Sequence, residues 1–171
     1  MKWVLWIAGG LVLVAGLIAG IGAILPLGHH ATRKARFRVA PNALYAVLAG
    51  PPDWRTGVRS FGALPEQEGR RRWWEEDEHR QKVTYELVED RPPARMVTRI
   101  ADRGLPFGGA WTFDIAPAPG GGSELRIQED GEIYNVIFRF LARFVFGYTS
   151  SIEGYLRDLG AKFGEAVAIE E

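Results

Sequence analysis

The sequence has no cysteine, only three histidines, and equal numbers of acidic and basic side chains. Without cysteine the chain can form neither a disulfide nor a thiolate metal site. Two histidines adjoin an apolar run, at His29 and His30, and His79 stands alone, so their spacing predicts no metal site. A net charge of zero argues against a nucleic-acid partner, because phosphate binding requires a basic surface.

Motifs of covalent catalysis are also missing from the sequence. It contains no G-x-S-x-G nucleophile elbow and no serine close to a histidine along the chain. The glycines at 104, 108 and 109 and at 120 to 122 lack a phosphate-binding context and are interpreted as turns. We therefore assign no catalytic residue and expect no cofactor.

The most conspicuous feature that is present is an uncharged run of 25 residues from Trp3 to Leu27. As a helix it would be about 37 Å long, more than the ~30 Å hydrocarbon thickness of a bilayer. A cleavable signal peptide would need a shorter apolar core followed by a small-x-small site, and the run ends instead in Pro26-Leu27-Gly28. We therefore predict that residues 1–28 form a single-pass transmembrane anchor.

The distribution of basic residues bears on which side of the membrane the rest of the chain occupies. Lys2 precedes the apolar run, and four basic residues follow it closely, at positions 33, 34, 36 and 38. By the positive-inside rule, this asymmetry favours a cytoplasmic location for residues 29–171.

The soluble part reads as strand, short helix, six strands and long helix. Arg33 to Val39 alternates apolar and charged side chains, which is typical of a half-buried strand. Pro41 suits the first position of a short helix, and six strand-like segments follow between Ser60 and Glu129, separated by short turns. Apolar residues then recur every three or four positions from Ile137 to Phe163, which predicts one long helix. The expected fold class is α+β, a curved antiparallel sheet around this C-terminal helix.

Several segments, in this order, resemble the START-like superfamily, also called SRPBCC or polyketide cyclase/dehydrase-like: FRVAPNALYAVLAGPPDW, VTYELVEDRPPARMVTRI, GGAWTFDIAP, IQEDGEI and GYLRDLGAKFGE. The resemblance covers roughly residues 33 to 165 and would assign residues 29–171 to one START-like domain. It implies a helix-grip fold with a cavity between the sheet and the long helix. Across the superfamily this cavity holds hydrophobic ligands, carries lipids or, in some members, supports cyclisation or dehydration. It implies no shared catalytic residue, so none is transferred.

Many aromatic residues fall at predicted inward positions of the strands or on the stripe of the long helix. Packing in the core explains most of them, and a cavity would leave some to contact a ligand. We select Trp54, Trp111 and Tyr155 as candidate ligand-binding residues.

Glu129 is a fourth candidate, because the period of two that buries Leu125 and Ile127 also carries Glu129 inward. A carboxylate directed at a core must be paired, neutral or close to water. A structural ion pair with Arg139 or Arg143 is the favoured interpretation, with catalysis as the alternative. Asp114, in contrast, is predicted to face outward.

The sequence leaves three functions open. The leading hypothesis is a membrane-anchored domain that binds a hydrophobic small molecule or lipid. The second is an enzyme of the cyclase or dehydratase type that uses a cavity carboxylate. The third is a membrane-tethered interaction module with a filled core and no ligand.

Overall fold

The computed structural model of the protein describes residues 2–171. The helices are α1 (Lys2–Ile24), α2 (Pro41–Leu48), α3 (Val136–Leu141) and α4 (Ser150–Lys162), with a π-helical turn at Ala142–Phe146 directly after α3. The strands are β1 (Gly28–Phe37), β2 (Ser60–Gln67), β3 (Arg70–Glu76), β4 (Lys82–Arg91), β5 (Arg95–Ile100), β6 (Phe107–Pro117), β7 (Ser123–Ile133) and β8 (Ile169–Glu170).

The eight strands form one antiparallel sheet in the order β2-β3-β4-β5-β6-β7-β1-β8. Short turns join β2 to β7 as sequential neighbours, and β1 then pairs with β7 along its whole length. The side chains that are fully shielded from solvent come from β7, α2 and α4: Leu44, Leu125, Ile127, Ile152, Leu156 and Leu159. The predicted α+β helix-grip arrangement is confirmed.

Most predicted elements of the soluble part are present, with longer ends. Proline occupies the start of α2 as expected, because its fixed φ suits a first helical turn and its missing N–H costs nothing there. Asp114 faces outward, where its carboxylate accepts a hydrogen bond from Arg95 at 2.6 Å. β1 begins at Gly28, five residues before the predicted strand, and the short β8 was not predicted.

The prediction of one continuous C-terminal helix is wrong. The helix is interrupted at Gly147, whose φ of 77° lies in a region that residues with a side chain rarely adopt. The preceding π-helical turn already departs from regular α-helical geometry. The apolar stripe is therefore divided between two packing contacts within the chain: α4 packs on the sheet, and α3 packs on α1.

The contact between α1 and α3 is close and depends on a glycine. A Cβ atom added to Gly22 would lie 1.9 Å from the carbonyl oxygen of Val136, so the two backbones approach as only glycine permits. The guanidinium of Arg139 donates hydrogen bonds to the carbonyl of Leu25, at 3.0 Å, and to that of Tyr134, at 3.2 Å. These bonds join α3 to the chain that leaves α1.

Helix α1 itself contributes little to the packed core. Its most apolar 18-residue stretch has no buried residue, and its length and composition are sufficient to cross a membrane. Water solvates the exposed apolar side chains of such a helix poorly.

Glu153 fixes the first turn of α4 to β1. Its carboxylate accepts hydrogen bonds from Thr149 (3.0 Å), Arg33 (3.2 Å) and Arg157 (3.0 Å). The bond from Thr149 is the largest cause that lowers the pKa of Glu153 below its usual value, and the two arginines add to it. The ionised carboxylate therefore stabilises the folded state above the pKa it has when unfolded, and this stabilisation is lost as pH falls through its folded-state pKa.

We expect Glu153→Gln to flatten the dependence of stability on pH below about pH 5, where an unfolded glutamate begins to bind a proton. The measurement is thermal unfolding of the full chain in nonionic detergent across the acidic range. Glu66→Gln is the control, because Glu66 is exposed and has no ion pair among residues 2–171. Equal slopes for Glu153→Gln and the parent chain would contradict the prediction.

Candidate functional site

A cavity of about 900 Å³ lies between the sheet and the C-terminal helices. The strands supply one side of its lining, and α4, the π-helical turn and the loop that precedes β2 supply the rest. Its aromatic lining comprises Trp54, Phe61, Trp73, Tyr85, Phe107, Trp111, Phe113, Phe146, Tyr148 and Tyr155. Ligand pockets of proteins typically span ~300–1,000 Å³ and are lined mainly by apolar side chains, so this cavity is large enough for a small molecule.

All four residues selected from the sequence line this cavity. The ring of Tyr155 is the centre of the group, since the ring centroids of Trp54 and Trp111 lie 5.1 Å and 5.5 Å from it. These edge-on contacts hold the three rings in fixed orientations. Their role as ligand contacts stays a prediction.

Glu129 faces the cavity, but its predicted partner is wrong. Its carboxylate accepts a hydrogen bond from Ser151 at 3.0 Å and lies 3.7 Å from Nε2 of His29. Arg139 is instead hydrogen-bonded to backbone carbonyls, because the interruption at Gly147 lets α3 pack on α1. Strand β7 also continues to Ile133, so Glu129 is not its last inward residue.

His29 was set aside at the sequence level as a neighbour of the apolar run. In the structure it is the second residue of β1, and its ring stacks on Tyr148 with centroids 4.4 Å apart. A signal for this position existed, because the alternation that buries Ala35 and Phe37 extends back in steps of two through Ala31 to His29.

A charged pair that the sequence did not reveal lies in the cavity wall. Nη1 of Arg55 lies 2.5 Å from Oε2 of Glu75, and Nε1 of Trp73 donates a hydrogen bond to the other carboxylate oxygen at 3.0 Å. The Arg55 guanidinium also stands 5.0 Å from the ring centroid of Tyr155. Glu75 was not selected from the sequence because it belongs to an acidic run, Glu75 to Glu78, and such a run is typical of a solvent-exposed segment.

The surroundings of this pair favour the charged form of Arg55. Burial lowers the pKa of Arg55, but Glu75 and the nearby Tyr155 and Tyr85 outweigh it, so the pKa lies above its ordinary value. The carboxylate of Glu75 is the ion-pair partner of this guanidinium. A ligand carboxylate at this point would have to compete with Glu75 for the same guanidinium.

Two tyrosines beside the pair remain protonated at neutral pH. Burial is the main cause that raises the pKa of Tyr85 to about 12, with Glu75 adding to it, and burial likewise raises the pKa of Tyr155. A protonated phenol can donate a hydrogen bond to a carbonyl or hydroxyl oxygen. The cavity thus combines an apolar lining with a few fixed polar groups.

Within residues 2–171, no three side chains of the types that bind metals lie close enough together to hold an ion.

No family model matches the chain, and no curated protein matches it. Several solved structures match the chain in fold. The di-domain ARO/CYC StfQ from the steffimycin biosynthetic pathway has a TM-score of 0.63 and 14% identity, covering 79% of this chain and 50% of StfQ. A START superfamily protein from Mycobacterium smegmatis has a TM-score of 0.60 and 15% identity, covering 78% of this chain and 96% of that one. The chain has the START-like (SRPBCC) fold.

A third solved structure, norcoclaurine synthase from Thalictrum flavum, has a TM-score of 0.60 and 8% identity, covering 81% of this chain and 88% of that one. The resemblance inferred from the sequence is thus confirmed at the level of fold. The chain spans about half the length of StfQ, and every identity quoted is at most 15%. At these identities the likeness establishes the START-like fold alone. The cavity is the feature that bears on function.

Proposed function

We propose that this protein is a single-pass, membrane-anchored START-like domain that binds a hydrophobic small molecule or lipid. Residues 1–28 would form the anchor and residues 29–171 the ligand-binding domain. The observation that carries the proposal is the 900 Å³ cavity with its aromatic lining. Burial of apolar ligand surface contributes about 25 cal/mol per Å², so a ligand that buries ~300 Å² there gains roughly 7 kcal/mol before the costs of association.

The polar groups of the cavity restrict the class of ligand. Because Arg55 is already neutralised by Glu75, this part of the wall favours a neutral oxygen function over a free acid. Tyr85 and Tyr155 supply protonated hydroxyl groups to orient a carbonyl or an alcohol. We therefore expect a mostly apolar ligand with one hydroxyl or carbonyl group, held also by Trp54, Trp111 and Glu129.

We place the ligand-binding domain in the cytoplasm on the basis of the basic residues that follow α1. In the folded protein each of them is paired with a carboxylate: Arg33 with Glu153, Lys34 with Glu170, Arg36 with Glu124, and Arg38 with Glu165. Their charge can bias topology during insertion, which precedes folding, without leaving a basic surface afterwards.

An enzyme of the cyclase or dehydratase type is the second candidate. The observation that favours it is the position of Glu129, a cavity carboxylate with His29 and Ser151 in its immediate surroundings. Such a group can act as a general base or acid on a bound carbonyl compound. The ligand-free interaction module required a filled core, and the cavity argues against it.

The test is mass spectrometry of organic extracts from the full chain purified in nonionic detergent. Membrane lipids copurify with any anchored protein, so a variant with an obstructed cavity, Gly154→Phe, is purified in parallel as the reference. We expect one compound to be enriched in the parent and depleted in the variant. Identical extracts from the two proteins would refute the binding function.

A further inference from the structure

The chain from Val136 to Phe146, comprising α3 and the π-helical turn, forms what we call the apolar lip. Five of its large apolar side chains are exposed by 47 to 64%: Ile137, Phe138, Phe144, Val145 and Phe146. Scattered apolar residues are common on protein surfaces, but a contiguous group of this size usually marks a contact with a partner or a membrane.

The position of the lip identifies the partner as a membrane. Gly22, in the last turn of α1, touches Val136 at the start of the lip, and Arg139 binds the carbonyl of Leu25 just after α1 ends. A helix of 23 residues is about 34 Å long, close to the ~30 Å hydrocarbon thickness. If α1 spans a bilayer, its last turn lies at the membrane surface, and the lip lies beside it.

The charge of this region fits the same location. From Ile133 to Ile152 the only charged residues are Arg139 and Arg143, so the lip carries positive charge and no acid. Aromatic and aliphatic side chains combined with arginine are typical of helices that lie in the membrane interface, where arginine reaches phosphate headgroups.

The lip also borders the cavity. Ala142 and Phe146 of the lip line the cavity, as do Gly147 and Tyr148 directly after it. We infer that the apolar lip is immersed in the bilayer interface and forms the membrane-facing opening of the cavity, through which a hydrophobic ligand passes between bilayer and cavity without crossing bulk water. This inference rests on the proposed ligand-binding function.

Immersion can be measured site by site, because the chain has no native cysteine. Single cysteines at Phe138→Cys and Phe146→Cys are labelled with the fluorophore NBD, and the full chain is reconstituted in vesicles of phosphatidylcholine and phosphatidylglycerol. Arg126→Cys is the control, because Arg126 is an exposed residue of β7, seven positions before the end of that strand. We expect blue-shifted emission and several-fold stronger quenching by spin-labelled lipid at 138 and 146 than at 126.

Two results would overturn the inference. Emission at 138 and 146 that matches position 126 would place the lip in water. Emission that is blue-shifted, insensitive to lipid quenchers and dependent on protein density in the vesicle would assign the lip to a contact between two copies of the chain.

Access to the cavity is tested with a small hydrophobic aryl diazirine dissolved in the same vesicles. Photolabelling is mapped by peptide mass spectrometry on Phe138, in the lip, and on Trp54 and Tyr155, in the cavity. Labels at both places support the inference. Cavity labels without lip labels overturn the inference and leave the binding function standing, whereas lip labels without cavity labels support immersion and count against the binding function.

Discussion

Replacing Glu75 with leucine should lower the free energy of unfolding by about 2–3 kcal/mol. The substitution leaves the Arg55 guanidinium without its carboxylate partner in a wall that water reaches poorly. Removal of one member of a buried ion pair typically costs ~3–5 kcal/mol. We expect a smaller loss than this, because the side chain of Arg55 is still 27% exposed and cavity water can solvate part of its charge.

The double variant Arg55→Met/Glu75→Leu should recover most of this loss, since it removes both charges and fills similar volume with apolar atoms. Glu76→Gln is the matched control in the same strand, because Glu76 pairs with the exposed Lys82 at 3.7 Å, and such pairs contribute ~1 kcal/mol or less. The measurement is denaturant unfolding of the full chain in nonionic detergent. A loss for Glu75→Leu no larger than that for Glu76→Gln would show that the pair does not stabilise the wall.

The pair of Arg55 and Glu75 also shows which residues of the cavity wall could be predicted from the sequence. Alternation required either Trp73 or Trp74 to face inward, and Trp73 does, lining the cavity. The same period of two carries Glu75 to the inner face with Trp73. The acidic run concealed the inward position of Glu75, because four consecutive acidic residues are typical of a solvent-exposed segment. The partner, Arg55, lies in an irregular loop, where no periodicity indicates the direction of a side chain.

The strands were predictable because each buries one face, so alternation alone determines which side chains turn inward. Trp111 and Glu129 were placed at the cavity by this argument, and the register pairs these two residues directly across β6 and β7. A helical stripe is less informative, since a period of 3.6 shows that a face is covered but not what covers it. We therefore predicted that the whole stripe packs on the sheet, which is wrong for α3. Its apolar side chains pack partly on α1 and are partly exposed to solvent.

The interruption at Gly147 has a consequence for the cavity. It separates α4, which packs on the sheet, from the lip, which packs on α1, so two helical segments joined by residues 147–149 border the cavity opposite the sheet. The prediction of Arg139 or Arg143 as the partner of Glu129 assumed one uninterrupted helix. The interruption instead leaves Glu129 with His29 and Ser151 as its polar neighbours.

The largest effect on ligand binding is expected at Gly154, in the middle of α4. Gly154 lines the cavity, and a Cβ atom added to it meets no atom within 4 Å. Glycine inside a helix costs about 0.5–1 kcal/mol relative to alanine. Gly154→Phe should therefore place its ring in the empty space without destabilising the domain, and the amount of copurified ligand per protein should fall about tenfold, equivalent to ~1.4 kcal/mol.

Gly154→Ala separates the effect on the helix from the effect on the cavity. It should raise the thermal stability of the domain through helix propensity, while its single methyl group leaves most of the 900 Å³ available to a ligand. The ligand content of both variants is measured by mass spectrometry, and their folding by thermal unfolding in the same detergent. If Gly154→Phe is folded and retains the ligand content of Gly154→Ala, the bound compound lies elsewhere on the protein. If it is folded and empty while Gly154→Ala keeps its ligand, the space beside Gly154 is the binding site.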